Sequence, residues 1–250
     1  MKKILSILFS LFFILTSCKK KVLKKENTST TSKNVAVLKK EFVIKGLNSI
    51  SHKIWLYLPP NYETSTEKFP VIYMHDGQNL FDKKTSYAGE WKIDETLNKL
   101  FKKTGKGFIV VGVENGGERR IEEYTPYQHE KYGGGKGAIY VDFLANELKP
   151  YIDSNYKTKV NADNTAIIGS SLGGLISFYG GLKHPNVFDK IGALSTSFWF
   201  SDKINDFAKK NGNQKNTKLY FLVGSKEGDT MVLDTENMAN LLIDVGFPVN

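Results

Sequence analysis

Gly169-Ser170-Ser171-Leu172-Gly173 sets a serine between two glycines at the spacing G-x-S-x-G. The β-prone run 165–168 leads into it, and residues 172–182 lead out with a helical pattern. Ser171 therefore falls at a strand-to-helix corner of the nucleophile-elbow type, where a tight turn exposes the hydroxyl above a sheet. Small residues two positions to either side let the backbone pass close to its neighbours. The N–H groups that open the following helix aim at the same point and favour a developing oxyanion. Those parts suit nucleophilic attack on an acyl carbonyl. A Gly-Ser turn of purely structural use would explain the glycines but not the flanking strand and helix.

The rest of the chain reads as a frame for that corner. Residues 37–44 and 53–58 read as strands, the second stopped by Pro59-Pro60. Strand patterns follow at 69–74, 108–113, 165–168, 191–194 and 218–223, with helical patterns at 91–101 and 172–182 between them. The run 108–113 is continuously apolar, as expected for a strand buried on both faces. Val141, Leu144, Leu148 and Ile152 recur at helical spacing, with Pro150 expected to kink or shorten that helix. Met238, Leu241, Leu242 and Val245 mark a last helix, with Asp234 or Thr235 as its expected N-cap. Strands alternating with helices imply an α/β fold: a mostly parallel central sheet, helices on both faces, and an antiparallel N-terminal lead-in.

The 250 residues are 40% hydrophobic and 24% charged, which gives material for one sizeable core and excludes disorder. The net charge is +9, but residues 1–34 hold eight Lys and one Glu and so contribute +7 of it. The basicity belongs to a tail, and no nucleic-acid partner is expected. Lys2 and Lys3 precede an apolar run at 4–15, too short to span a bilayer and fitting a secretory signal peptide. Cys18, the only cysteine, closes that run in Leu15-Thr16-Ser17-Cys18, which resembles a bacterial lipobox. The expectation is a signal peptide at 1–18 with Cys18 lipidated, a flexible basic tether at 19–34, and one domain at 35–250. The protein would then be exported and anchored to a membrane, periplasmic or at the cell surface.

Together with the elbow, three further motifs resemble the esterase family of α/β-hydrolases: Tyr73-Met-His-Asp-Gly-Gln-Asn-Leu-Phe-Asp82, Arg120-Ile-Glu-Glu-Tyr-Thr-Pro126 and Ser195-Thr-Ser-Phe-Trp-Phe200. Relatives in that family include feruloyl and acetylxylan esterases, enterochelin esterases, S-formylglutathione hydrolases and mycobacterial mycolyltransferases. The resemblance covers roughly residues 40 to 250 and implies a serine hydrolase acting on esters, with acyl esters of carbohydrates or a siderophore-like ester as substrate. Ser171 would be the nucleophile and the Leu172 N–H one oxyanion donor. The family's second donor corresponds to the Gln78 N–H, and its triad acid to Glu227, with Asp229 as runner-up and Asp234 a distant third. His75 and Asp76 are read as bracing the loop that carries Gln78. Asp76 and Asp82 are too few to argue for a metal, and no cofactor is expected.

The triad also needs a histidine after the acid, yet His52, His75, His129 and His184 all precede Glu227. The expectation is therefore a chain whose last strand, histidine loop and final helix are missing, leaving a bare sheet edge. A binding protein on the same fold, holding a glycan without cleaving it, is the alternative. For the substrate pocket the candidates are Phe198, Trp199 and Arg120, although a loop salt bridge from Arg119 or Arg120 to Glu122 or Glu123 competes. Gly133-Gly134-Gly135 reads as a flexible loop at the site rim.

Overall fold

The computed structural model describes residues 28–47, 51–228 and 230–248. The expected signal segment, Cys18 and the first part of the tether lie outside the described residues, as does Asp229.

Along the chain run β1 (Val35–Val37), β2 (Phe42–Val43), β3 (Ser51–His52), β4 (Ile54–Tyr57) and β5 (Val71–His75). Next come α1 (Ile93–Thr104), β6 (Ile109–Val113), α2 (Arg120–Tyr124), β7 (Gln128–His129), β8 (Gly133–Gly134) and α3 (Gly137–Phe143). A π turn at Leu144–Leu148 joins α3 to α4 (Lys149–Asn155). The chain ends with β9 (Thr165–Ser170), α5 (Leu172–Lys183), β10 (Lys190–Leu194), α6 (Lys203–Asn211), β11 (Lys218–Leu222) and α7 (Met231–Asp244). Among the described residues no helix is long and apolar enough to cross a membrane.

Seven strands form one sheet in the order β1-β4-β6-β5-β9-β10-β11. β1 and β4 pair antiparallel, β4 pairs antiparallel with β6, and from β6 onward every pairing is parallel. This is the expected fold with its antiparallel lead-in. One face of the sheet packs through Tyr73, Val111, Ile167, Ile191 and Ala193 onto a core shared with α3, α4, α5, α6 and α7. The opposite face is covered by α1, whose Ile93 and Leu97 sit on Trp55, Tyr57, Met74 and Val110. Over β9, β10 and β11 no described element covers that second face. Tyr220 is 62% and Leu222 52% exposed there, beside a shallow apolar depression of about 520 Å³. Among the described residues β11 is the last strand on this side of the sheet.

Four local expectations change. The strand read over 37–44 divides, because Lys39-Lys40-Glu41 turn outward; β1 joins the main sheet while β2 pairs only with β3. Pro150 does not break its helix: the π turn ends just before α4, where a residue lacking an N–H costs least. The last helix begins at Met231 with Thr230 at its N-cap, so Asp234 and Thr235 lie inside its first turns. The tether is docked from Ser29 on, through Ser29 and Thr30 to Asp82, Thr30 to Glu90 and Ser32 to Asp94.

Candidate active site

The parallel strands β5, β9 and β10 deliver their C-terminal ends to one edge of the sheet, the usual place for a site in such folds. Ser171 occupies the corner between β9 and α5 with φ 59° and ψ −122°, a conformation costing roughly 1–3 kcal/mol for a residue with a side chain. Three backbone hydrogen bonds hold it there. Its N–H donates to the Leu194 carbonyl at 3.0 Å, and its carbonyl accepts from Leu175 N at 3.0 Å and Ser197 N at 3.2 Å. The Ser171 side chain is exposed, and Leu172 opens the helix, so its N–H has no carbonyl partner within that helix. The exposed hydroxyl and the helix-opening N–H thus lie on adjacent residues.

Ser171 Oγ lies 3.1 Å from Ser197 Oγ. Sequence reasoning quoted Ser197 inside a motif and gave it no role; the approach of the β10 loop to the β9 corner is a tertiary event with no local signal. The loop starts at Ser195, itself at φ 43° and pinned by donation to the Leu222 carbonyl at 2.6 Å.

The second wall is the loop after β5. Gly77–Asn79 forms a single 3-10 turn that carries Gln78, and Asp76 enters it at φ 56°. The carboxylate of Asp76 accepts two hydrogen bonds from Arg120, Nε to Oδ1 at 2.7 Å and the second nitrogen to Oδ2 at 2.9 Å. Asn115 donates to the same Oδ1 at 2.5 Å, and Tyr124 OH accepts from the Asp76 N–H at 3.0 Å. The expectation that Asp76 braces this loop holds. Arg120, expected against the substrate, is instead committed to Asp76 and lies over the Tyr124 ring; Arg119 makes the surface pair with Glu122 at 3.8 Å. Pairing matters for the chemistry, because a Cβ placed on Gly173 would lie 3.5 Å from Asp76 Oδ2. An uncompensated carboxylate there would oppose the oxyanion, and Arg120 neutralises it. Arg120→Ala should therefore cost about 1–3 kcal/mol of stability, discounted for the partial exposure of the pair, with a loss of about tenfold or more in catalytic efficiency. Urea denaturation and ester kinetics on the variant check both; unchanged values would mean the pair is ornamental.

His75 lies under the elbow. Its Nδ1 is 3.0 Å from Tyr140 OH, its Nε2 has no hydrogen-bond partner, and its ring packs 5.1 Å from that of Tyr124. Burial pushes its pKa down to about 3, so the ring is neutral at pH 7. The unfolded chain takes up a proton here below about pH 6.5, whereas the folded chain resists until about pH 3. Stability is then full above pH 6.5 and falls as pH drops toward 3. Between pH 7 and 4.5 the parent should lose about 2 kcal/mol more than His75→Asn in chemical denaturation; equal losses would refute this.

The other histidines are placed elsewhere. His52 Nε2 pairs with Glu123 Oε1 at 2.8 Å in the interior, and His184 ends α5 beside Asp142 at 2.7 Å. His129 stands at the rim with its ring 5.2 Å from Phe200 and 6.4 Å from Trp199. Its Nδ1 accepts from the Lys131 N–H at 3.0 Å, which leaves the neutral ring's proton on Nε2. Among the described residues, the one side chain hydrogen-bonded to Ser171 Oγ is Ser197.

Glu227 departs from expectation. It is exposed, and its Oε1 accepts from the Gly224 N–H at 3.0 Å, so it closes its own loop rather than facing an imidazole. Of the expected pocket aromatics, Phe198 is core, 5.3 Å edge-to-face from Phe178 and 5.8 Å from Phe221. Trp199 is 49% exposed and, with Tyr132 at 6.0 Å, forms a T-shaped pair at the rim. Tyr132 comes from the loop between β7 and β8, a hairpin that replaces the expected flexible glycine loop. Gly134 at φ 86° packs where a Cβ would meet Thr125 Oγ1, and Gly135 donates to that same oxygen.

Fold and corner together define an α/β-hydrolase. Residues 49–243 match the family model described as "Putative esterase". The chain belongs to that esterase family and is a carboxylic ester hydrolase by class. It is 30% identical over 184 residues to the Bacillus subtilis protein YbbA, covering 71% of this chain and 70% of that one. It is 29% identical over 160 residues to an endo-1,4-beta-xylanase/feruloyl esterase of Xylanibacter ruminicola, covering 60% and 20%. The structure of siderophore hydrolase EstA from Aspergillus nidulans superposes with TM-score 0.68 at 18% identity, covering 86% of this chain and 84% of that one.

Proposed function

We propose that Ser171 is the nucleophile of an exported serine esterase, held to a membrane through a lipid on Cys18, that cleaves acyl esters of carbohydrates or a siderophore-like ester. The observation that carries this reading is the strained, exposed Ser171 at the β9–α5 corner with the unpartnered Leu172 N–H beside it. Attack by Oγ on the ester carbonyl places the oxyanion at the start of α5, where Leu172 and then Gln78 donate. The exposed Trp199–Tyr132 pair supplies a stacking surface for an aromatic acyl group or a sugar ring, consistent with the feruloyl esterase and siderophore hydrolase names of the relatives.

The second reading, a glycan-binding protein without turnover, draws on one observation: Ser171 Oγ meets a hydroxyl and no imidazole. Exposure of the 250-residue chain to a fluorophosphonate, followed by peptide mass mapping, separates the two. An adduct on Ser171, absent from Ser170, Ser195 and Ser197, is the expected result. An unmodified Ser171 together with saturable glycan binding would replace the esterase reading with the binding one.

A further inference from the structure

Far from the elbow, at the start of α1, three carboxylates gather without a counter-charge. One oxygen from each of Glu90, Asp94 and Glu95 lies within 4.8 Å of the others. Among the described residues none of the three makes an ion pair with Lys, Arg or His. Asp94 is the informative member. It is fully buried, its Oδ2 accepts from the Ser32 N–H at 2.8 Å, and its Oδ1 is buried with no hydrogen-bond partner. An orphaned carboxylate oxygen in the interior is costly, by several kcal/mol if it stays ionised. The partial positive charge of a helix N-terminus, about half a unit, falls well short of three carboxylates.

We propose that Glu90, Asp94 and Glu95 form a Ca²⁺ site that ties residues 29–32 to the start of α1. The donor set is all oxygen, with no histidine or cysteine in the cluster, which selects a hard cation over zinc or copper. Coordination flexibility favours calcium within that class: Ca²⁺ takes carboxylate oxygens in adaptable geometry, whereas Mg²⁺ demands a near-ideal octahedron and gives up its waters reluctantly. A mix of buried and exposed carboxylates fits too: Asp94 is a fixed ligand from below, while the half-buried Glu90 and exposed Glu95 can close from solvent.

The segment that meets the site is residues 29–32. Thr30 Oγ1 donates to Glu90 Oε1 at 2.6 Å, Ser32 reaches Asp94, and Ser29 and Thr30 hold Asp82 nearby. Two of the three ligands are thus oriented by residues 30 and 32. A bound cation would strengthen the docking of this segment without touching Ser171. The principal competing occupant of the space is a proton shared between neighbouring carboxylates. Burial, then a hydrogen bond to the Asp94 side chain and the Asp94 and Glu90 charges, already push the Glu95 carboxyl upward.

Calorimetric titration of the EDTA-treated 250-residue chain with CaCl₂ is the test, beside Glu90→Gln and Glu95→Gln, whose partly or fully exposed side chains leave the fold intact. The expected result is one ion per chain with Kd on the order of 10⁻⁵–10⁻³ M, weaker binding of Mg²⁺, and at least a tenfold loss in each variant. Ca²⁺ should also slow cleavage after Lys33 by endoproteinase Lys-C. No saturable binding by about 10 mM CaCl₂ would overturn the site, as would affinity kept within threefold in both variants. Stability that rises on acidification to pH 5 while Ca²⁺ has no effect would assign the cluster to a shared proton and overturn it equally.

Discussion

Hydrolysis of p-nitrophenyl acetate by the 250-residue chain is expected to be slow in plain buffer, to depend on Ser171, and to accelerate when imidazole is added. A positioned general base contributes typically about 10²–10⁴ to such reactions, and no described residue presents one to Ser171 Oγ. The hydroxyl is otherwise well prepared: exposed, held by three backbone hydrogen bonds, and set beside the first turn of α5. Free imidazole can enter where no side chain stands and take the proton from Oγ as it attacks. The expected enhancement is at least tenfold over the imidazole-catalysed rate measured with Ser171→Ala, which serves as the background. Without imidazole, the rate should climb steadily from pH 6 to 9, because hydroxide alone assists the serine. A plateau in place of that climb would show that a histidine of the chain swings onto Ser171, His129 being the one at the rim. Equal rates for parent and Ser171→Ala at every imidazole concentration would remove Ser171 from the mechanism.

Gly169→Ala should be the most damaging single methyl in the molecule near the site. A Cβ there would stand 2.4 Å from the Gly173 carbonyl oxygen, 2.5 Å from its carbon and 2.8 Å from His75 Cδ2. Two of those are backbone atoms of α5 and the third belongs to a buried ring, so none can yield cheaply. Overpacking of this kind costs about 1–3 kcal/mol when side chains can move and more when they cannot. A loss of at least about 3 kcal/mol is expected, a fall of roughly 6–12 °C in Tm for a chain of this size, along with the Ser171 reaction. Gly105→Ala is the control, since its φ is 70° with nothing within 4 Å of the new methyl, and it should cost only about 1 kcal/mol. Similar losses in the two variants would mean that the corner is looser than its geometry indicates.

What could be read in advance follows the range of the interactions. The elbow was legible because strand, glycines, serine and helix are contiguous, and the parallel sheet because each buried strand is a short apolar run. Ile204, Phe207 and Ala208 carry the periodicity of α6, so that helix was readable though unread. The pairing of His52 with Glu123, 71 residues away, had no local trace, nor did the seating of Arg120 on Asp76. Both charged groups were visible, but the partners that neutralise them are set by how α2 lies against the loops after β5 and β6. Glu227 is a different case. Its position after β11 matched a family pattern, while a three-residue loop closure to Gly224 was the local chemistry available to it. Among the three consecutive aromatics 198–200, side-chain direction in a 3-10 turn decided which faced solvent, and composition carries no such information.

The order of strands across the sheet also sets a timetable for the emerging polypeptide. β1, β4, β6 and β5 are neighbours, and all four exist once residue 113 has been made. β9, the next strand on the β5 side, is complete only at Ser170. At 5–20 residues per second that gap lasts about 3–11 s, during which β5 offers an unpaired apolar edge to any extended chain nearby. The strand that covers this edge is the one that carries the serine corner, so the nascent chain loses its most association-prone surface in the same step that assembles its chemistry.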